Sequence, residues 1–250
     1  MKISVITMTY KDPGHLLQTA ATVLQQDHED LEYIVIDGGC DKETGDAIRK
    51  IDEKMKERTG TFRWISEPDN GLYDALNKGI DMAEGDLIGL MCDRFADTTV
   101  LSRMAQTVES ENTDGVHGDL DYVQDGRVVR RWRMGRGRLA GGWMPAHPTL
   151  YLKKEVYERF GRYRTDMSIA ADYEFMVRFL KDDAVILSYL PEVLVKMYHG
   201  GGSTSTSSLQ SYLNSFRQGR KALVINQVPH PTWITVKRTF RVLGQFLKKS

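Results

Sequence analysis

The segment Trp64-Ile65-Ser66-Glu67-Pro68-Asp69-Asn70-Gly71-Leu72-Tyr73-Asp74-Ala75-Leu76-Asn77-Lys78-Gly79 gathers more groups able to do chemistry than any other stretch of the chain. Lys78 can offset phosphate charge, and Asn77 can both donate and accept hydrogen bonds. With Asp74 they can equally be solvated positions on an amphipathic helix. Asp37 closes Val35-Ile36-Asp37-Gly38-Gly39, with Asp41 close behind. A carboxylate followed by glycines can accept hydrogen bonds from a base or ribose brought close to the backbone, or it can cap a turn. Asp172, in Ser168-Ile169-Ala170-Ala171-Asp172-Tyr173-Glu174, stands where a helix opens, a common N-cap position. Arg127, Arg130, Arg131, Arg133, Arg136 and Arg138 crowd together with Trp132 and Trp143 between and after them. Such a cluster suits bidentate phosphate binding, or nucleic acid, or it is a solvated hairpin face. No nucleic-acid module accompanies it.

These residues need a frame. Apolar runs predict strands at Ile3 to Met8, Leu31 to Ile36, Phe62 to Ile65 and Asp86 to Met91. Helical patterns follow each, at His15 to Gln26, Glu43 to Arg58, Leu72 to Ala83 and Thr98 to Ser110. In the third helix Leu72, Ala75, Leu76 and Ile80 share one face. Four βα units in succession imply a parallel, doubly wound sheet, with ligands outside the carboxyl ends of its strands. Neither GxGxxG nor GxxxxGK[ST] follows the first strand, which argues against dinucleotide and P-loop proteins. Thr7 to Gly14 also lacks the Gly-rich basic loop of a nucleotidyltransferase.

Beyond Ser110 the pattern changes. Gly115 to Asp119 is short and apolar-leaning, Tyr122 to Val129 reads as a hairpin turning at Asp125-Gly126, and Arg130 to Gly142 reads as a loop. Helices are expected at Lys153 to Phe160 and Asp172 to Lys181, then a strand from Ala184 to Leu190 that stops before Pro191. A Gly/Ser/Thr linker, 200–208, leads to two last helices, Leu209 to Val224 and Pro231 to Lys248. The final helix aligns Trp233, Val236, Phe240, Leu243 and Leu247 in one stripe, with Lys237, Arg238, Arg241 and Lys248 elsewhere. Such a helix suits a membrane interface, packing on the domain, or a dimer contact.

The 250 residues balance 34 basic against 34 acidic side chains, but unevenly. Glu192 is the last acid; nine basic residues follow it, leaving 25 basic against 34 acidic before it. A basic tail on an acidic body suits an anionic surface. No apolar run approaches the ~20 residues of a membrane span, and the first ten residues read as a strand, not a signal peptide, so a cytoplasmic location is expected. Two cysteines, Cys40 and Cys92, fit buried reduced thiols better than a disulfide framework or zinc site.

The Ser-Glu-Pro-Asp-x-Gly-x-Tyr-Asp-Ala-x-Asn-Lys-Gly run resembles the nucleotide-sugar-binding region of family 2 glycosyltransferases, most of all those building bacterial colanic acid, capsule and O-antigen. The resemblance covers Lys2 to Ser205. It implies an α/β, GT-A, Rossmann-like fold with a mixed, mainly parallel sheet over residues 1–205, and a basic helical extension over 206–250. It implies sugar transfer from a nucleotide-sugar, most simply a UDP-sugar, to a hydroxyl of a lipid-linked glycan, with inversion. The alternative is a non-catalytic sugar-nucleotide or glycan-binding subunit.

By this resemblance the donor would be met by Thr7, Tyr10, Asp37, Gly38, Asp41, Glu67, Asp69, Gly71, Tyr73, Asp74, Asn77, Lys78 and Cys92. Asp172 would be the catalytic base. A divalent cation, Mn²⁺ or Mg²⁺, would be held where the family has two adjacent acids. This chain departs there, reading Met91-Cys92-Asp93-Arg94, with one acid and an arginine beside it. Either Asp93 holds the metal with a distant ligand such as His199, or Arg94 partly replaces it, or the site is impaired. His147 would lie near the acceptor or diphosphate, or be structural. Arg131, Arg133 and Arg136, with Gly201 and Ser203 of a late glycine loop, would face acceptor or phosphate; that loop is otherwise a plain linker. The expected partners are the sugar nucleotide, the lipid-linked acceptor and the cytoplasmic membrane face, with a homodimer possible and no nucleic acid.

Overall fold

The computed structural model describes residues 1–167, 169–198 and 209–247; in the last span side chains are described from 213 to 242. Alternating strands and helices run β1 (Ile3–Thr9), α1 (Pro13–Leu24), β2 (Leu31–Asp37), α2 (Lys42–Met55), β3 (Thr61–Ser66), α3 (Leu72–Met82), β4 (Leu87–Leu90), β5 (Arg94–Phe95) and α4 (Val100–Glu111). The second half holds β6 (Gly115–Gln124), β7 (Arg127–Trp132), β8 (Tyr151–Lys153), α5 (Lys154–Phe160), α6 (Ala171–Leu180), β9 (Leu187–Tyr198), α7 (Leu209–Ile225) and α8 (Pro231–Leu247).

All the described strands join one sheet, in the order β3-β2-β1-β4-β8-β6-β9-β5, with β7 on β6. Pairing is parallel from β3 through β2 and β1 to β4, and between β6 and β9. It is antiparallel where β8 joins β4 to β6 and where β5 meets β9. The expected mixed, mainly parallel sheet is therefore present. Its central strands are unbroken apolar runs because helices cover both faces, and β2 is buried along its whole length. One core layer lies under α1, α2 and α4. The other lies under α3, α5 and α6 and takes in Ala222 and Leu223 of α7 and Ile234 of α8.

Local chemistry sets the helix starts. Asp12 caps α1 by accepting from the His15 amide at 3.0 Å, and Pro13 occupies its first turn. Asp41 caps α2 through the Thr44 amide and hydroxyl, at 3.0 and 2.7 Å. Gly71 opens α3 with φ 109°, a conformation that disfavours any residue with a Cβ. The face α3 buries is Tyr73, Ala75, Leu76, Gly79 and Ile80. Leu72, expected on it, is 57 % exposed, because side chains lean toward a helix N-terminus and carry this first residue past the packed turns.

Three other expectations need correction. Arg130 to Trp132 is strand, since the Asp125-Gly126 turn, with φ 50° and 73°, folds β7 back along β6. β9 does not stop before Pro191; its register on β6 jumps from Gly118↔Leu190 to Asp119↔Val193, so the residue without an amide hydrogen sits in the irregularity. Cys40 is exposed, in the left-handed region at φ 52°, whereas Cys92 is half-buried and burial pushes its thiol up to about 11. In α8, of the described stripe residues Trp233 and Phe240 are 60 % and 70 % exposed and Val236 is half-buried, while Ile234 and Thr235, off the stripe, are buried. The boundary at residue 205 lies outside the described residues. No described helix is long and apolar enough to cross a membrane.

Candidate active site

Asp37 ends β2, fully buried. Its carboxylate accepts from the amides of Gly39 at 2.9 Å and Cys40 at 3.3 Å, and from the Ser66 hydroxyl of β3 at 2.7 Å. The turn after β2 is thereby fixed. The Gly38 amide donates to Thr9 O at 3.1 Å, joining the ends of β1 and β2. A Cβ on Gly38 would sit 1.8 Å from an Asp69 carboxylate oxygen, so the missing side chain lets Asp69 lie in this position over the turn. Asp69 in turn accepts from the Gly71 amide at 2.9 Å, ahead of α3. Tyr10, beyond β1, is 66 % exposed. Thr7 points into the protein instead, donating to Met91 O at 2.7 Å and accepting from the Tyr33 hydroxyl at 3.2 Å.

The polar residues of α3 are more occupied than their spacing suggests. Lys78 donates to Pro68 O at 3.0 Å and pairs with Glu67 at 2.9 Å; Asp74 is 3.9 Å away. The Glu67 contact holds the Lys78 ammonium above its ordinary pKa. Asp74 accepts from the Asn70 amide at 2.9 Å. Asn77 pairs with the backbone of Tyr163 in both directions, each at 2.9 Å, and so ties α3 to the loop between α5 and α6.

That loop carries the strongest catalytic geometry. Ala170, with φ 66°, is the N-cap of α6, and no side chain caps the helix. Asp172 is therefore not the cap. It lies in the first turn, where the helix dipole favours a carboxylate, and its Oδ1 accepts the Tyr73 hydroxyl at 3.1 Å. Burial, with the negative charge of Asp172 next, holds the Tyr73 phenol above its ordinary pKa. His147 Nε2 lies 2.7 Å from the Tyr163 hydroxyl, and the two rings meet edge to face. Burial pushes the His147 pKa down, partly opposed by Asp172, so the ring is neutral at pH 7. A groove of 310 Å³ between Asn70 to Asp74 and Thr165 to Met167 opens beside this cluster. Tyr163 had no local sequence signal; its contacts join residues 86 positions apart.

Asp93, just past β4, is 5 % exposed. Its Oδ2 accepts from the Tyr198 amide at 2.7 Å, while Oδ1 is buried without a hydrogen-bond partner. Burial raises its pKa, and the Tyr198 amide, His15 and Arg94 oppose that. An orphaned buried carboxylate oxygen fits one ligand of a hard cation, which commonly takes one or two protein carboxylates and completes its shell with phosphate and water. Among the described residues no group of three or more potential ligands converges. His15 Nε2–H donates to Cys92 O at 2.8 Å. Arg94 lies over the Tyr198 ring at 3.8 Å and bonds Gln18. His199, Gly201 and Ser203 lie outside the described residues.

Of the arginine cluster, Arg133 pairs with Asp121 at 3.2 Å and Asp119 at 3.5 Å, and Arg136 lies 3.8 Å from Glu111. Arg131 is exposed on β7.

The chain is similar to known proteins in sequence and in fold. The pattern of Glycosyl transferase family 2 matches residues 4–185. An uncharacterized glycosyltransferase of Mycobacterium tuberculosis is 34% identical over 186 residues, 70% of this chain and 68% of that protein. A PGL/p-HBAD biosynthesis glycosyltransferase of Mycobacterium bovis is 25% identical over 235 residues, 89% of this chain and 88% of its own length. The second of these relatives is named for PGL/p-HBAD biosynthesis, and neither is named for capsule or O-antigen. In fold, the chain is similar to S. aureus TarS 1-349 in complex with UDP-GlcNAc, with TM-score 0.75, 18% identity, and coverage of 98% of this chain and 73% of that one. The mannosyltransferase PcManGT from Pyrobaculum calidifontis, in complex with GDP-Man and Mn²⁺, matches with TM-score 0.62, 16% identity, and coverage of 100% and 76%. With its sheet, its strand-end turns and the matched span all in accord, the chain belongs to glycosyl transferase family 2.

Proposed function

We propose that the protein transfers a sugar from a UDP-sugar to a hydroxyl of a lipid-linked glycan at the inner membrane face, with inversion. One observation carries this reading: the Tyr73 hydroxyl, within the donor-binding segment, is bonded to Asp172. Recognition and proton removal are thereby joined through a single contact. The turn made by Asp37, Gly38 and Asp69 offers the surface for the nucleotide, and UDP-GlcNAc in TarS supports the choice of nucleotide. Asp93 Oδ1 would hold Mg²⁺ or Mn²⁺, whose charge offsets that of the leaving diphosphate; Mn²⁺ in PcManGT supports this assignment.

Asp172 is the base. Its second oxygen takes the proton of the acceptor hydroxyl as that oxygen bonds to the anomeric carbon, and the bond from that carbon to the diphosphate breaks on the opposite face. Neutral His147, held by Tyr163, orients the acceptor side without adding charge. The relatives named for PGL/p-HBAD biosynthesis support a glycoconjugate acceptor.

UDP release from a panel of UDP-sugars, with lipid extract as acceptor source and with or without Mn²⁺ or Mg²⁺, tests the proposal. Metal-dependent release with one donor supports it. Release without metal assigns the cation's role to Arg94. UDP binding with no release for any donor favours a binding subunit, and no UDP binding removes the UDP-sugar assignment.

Tyr73→Phe deletes only the hydroxyl that holds Asp172. We expect kcat to fall by about tenfold, the order of one hydrogen bond to a charged group, with donor KM nearly unchanged. Equal losses in kcat and donor affinity would place Tyr73 in donor binding instead.

A further inference from the structure

We infer that the outward face of α8, around Trp233, Val236 and Phe240, docks on an anionic lipid bilayer. At 100° per residue these three positions fall in one sector, opposite buried Ile234 and Thr235. Helices on globular domains normally turn their largest apolar side chains inward. Here the inward positions also hold Arg238, whose guanidinium lies over the Tyr173 ring at 4.3 Å. The bulky aromatic groups are left to the outside.

Charge decides what covers them. Lys237 Nζ lies 5.5 Å from the Trp233 ring, and Arg241 is exposed beside Phe240. Arg217, Arg220 and Lys221 are exposed on α7, and no Asp or Glu follows Glu192. The groove alongside α8, 370 Å³ in volume, is lined by Arg138, Lys181, Lys237 and Trp233, with Asp183 its one acid. An aromatic ridge flanked by cations matches the boundary between acyl chains and anionic headgroups. A second copy of this chain would bring the same cations face to face, an unfavourable pairing.

The position is also apt. α8 packs on α6 through Arg238 and Tyr173, and Tyr173 adjoins Asp172. A bilayer on the outer side of α8 thus lies one helix away from the proposed base. This surface deepens the membrane location proposed above and rests on that reading only for the acceptor.

Co-sedimentation of the full chain with vesicles, in the absence of any sugar donor, separates docking from transfer. We expect binding to phosphatidylcholine vesicles containing phosphatidylglycerol, weakened by salt, and little binding to phosphatidylcholine alone. Trp233→Ser and Phe240→Ser should each lower partitioning by about tenfold, the order expected when one large apolar side chain no longer inserts. Both side chains are exposed, so melting temperatures should match the wild type. Phe240→Ser should keep UDP release with a water-soluble acceptor. Wild-type protein that stays in the supernatant, variants that bind like wild type, or a concentration-dependent dimer dissolved by Phe240→Ser would each overturn the inference.

Discussion

Replacing Asp172 with asparagine is expected to lower kcat by about 10²- to 10⁴-fold, the usual contribution of a positioned general base. The amide matches the carboxylate in shape and still accepts the Tyr73 hydroxyl, so α6 keeps its place. What is lost is the ability to take a proton. Because Asp172 is not the N-cap of α6, the substitution removes no capping hydrogen bond. The stability loss should therefore stay within the few tenths of a kcal/mol of a dipole interaction. Single-turnover UDP release measures the rate, and calorimetric titration with UDP measures retained binding. A variant that keeps a tenth or more of the wild-type rate would dismiss Asp172 as the base.

The second large effect concerns stability in acid. His117, on β6, is 1 % exposed, stacked on Tyr189 at 5.2 Å and edge-on to Trp143 at 5.3 Å. Its Nδ1 has no hydrogen-bond partner. Burial, reinforced by the positive charge of Arg136, lowers its pKa from 6.5 to about 4. The unfolded chain therefore takes up a proton at a pH where the folded protein does not. Stability from this group is complete above about pH 6.5 and is lost as pH falls toward 4. At 1.36 kcal/mol per unit, the loss across that window is about 3 kcal/mol. Urea unfolding of wild type and His117→Phe at neutral and acidic pH isolates it, since other titrating groups are common to both. The wild type should lose more stability than the variant by about that amount. Parallel losses would show that His117 titrates normally.

The first half of the fold was legible in the sequence for a physical reason. Parallel strands covered on both faces must be continuously apolar, so β1, β2 and β4 announce themselves, and the helices between them carry a 3.6-residue period. In the second half the helices and the Asp125-Gly126 hairpin were legible too, but several strands lack such signals. β5 is two residues long, and β9 passes through a proline that local reasoning takes as a stop. Their strand state comes from partners far away in the chain. The site divides the same way. The segment from Glu67 to Lys78 and Asp172 could be picked out by resemblance. The bond of Tyr73 to Asp172, the tie of Asn77 to Tyr163 and the orphaned oxygen of Asp93 are tertiary facts. Likewise, α8 shows an apolar stripe in its sequence, but only packing decides which side faces the core.

The pairing of β6 with β9 also bears on how the protein comes into being. Gly115 aligns with Leu187, so this seam closes only after some seventy intervening residues are in place, and such distant pairings pay loop-closure entropy before any contact repays it. We therefore expect β1 to β4 to gain protection from hydrogen exchange during refolding before β9 does; simultaneous protection would refute this order. On the ribosome, the turn formed by Asp37 and Gly38 would take shape while Tyr198 is still unmade. Asp93 would then lack the amide that fixes it, and a half-synthesised chain would hold the proposed nucleotide surface before the proposed cation ligand is in place.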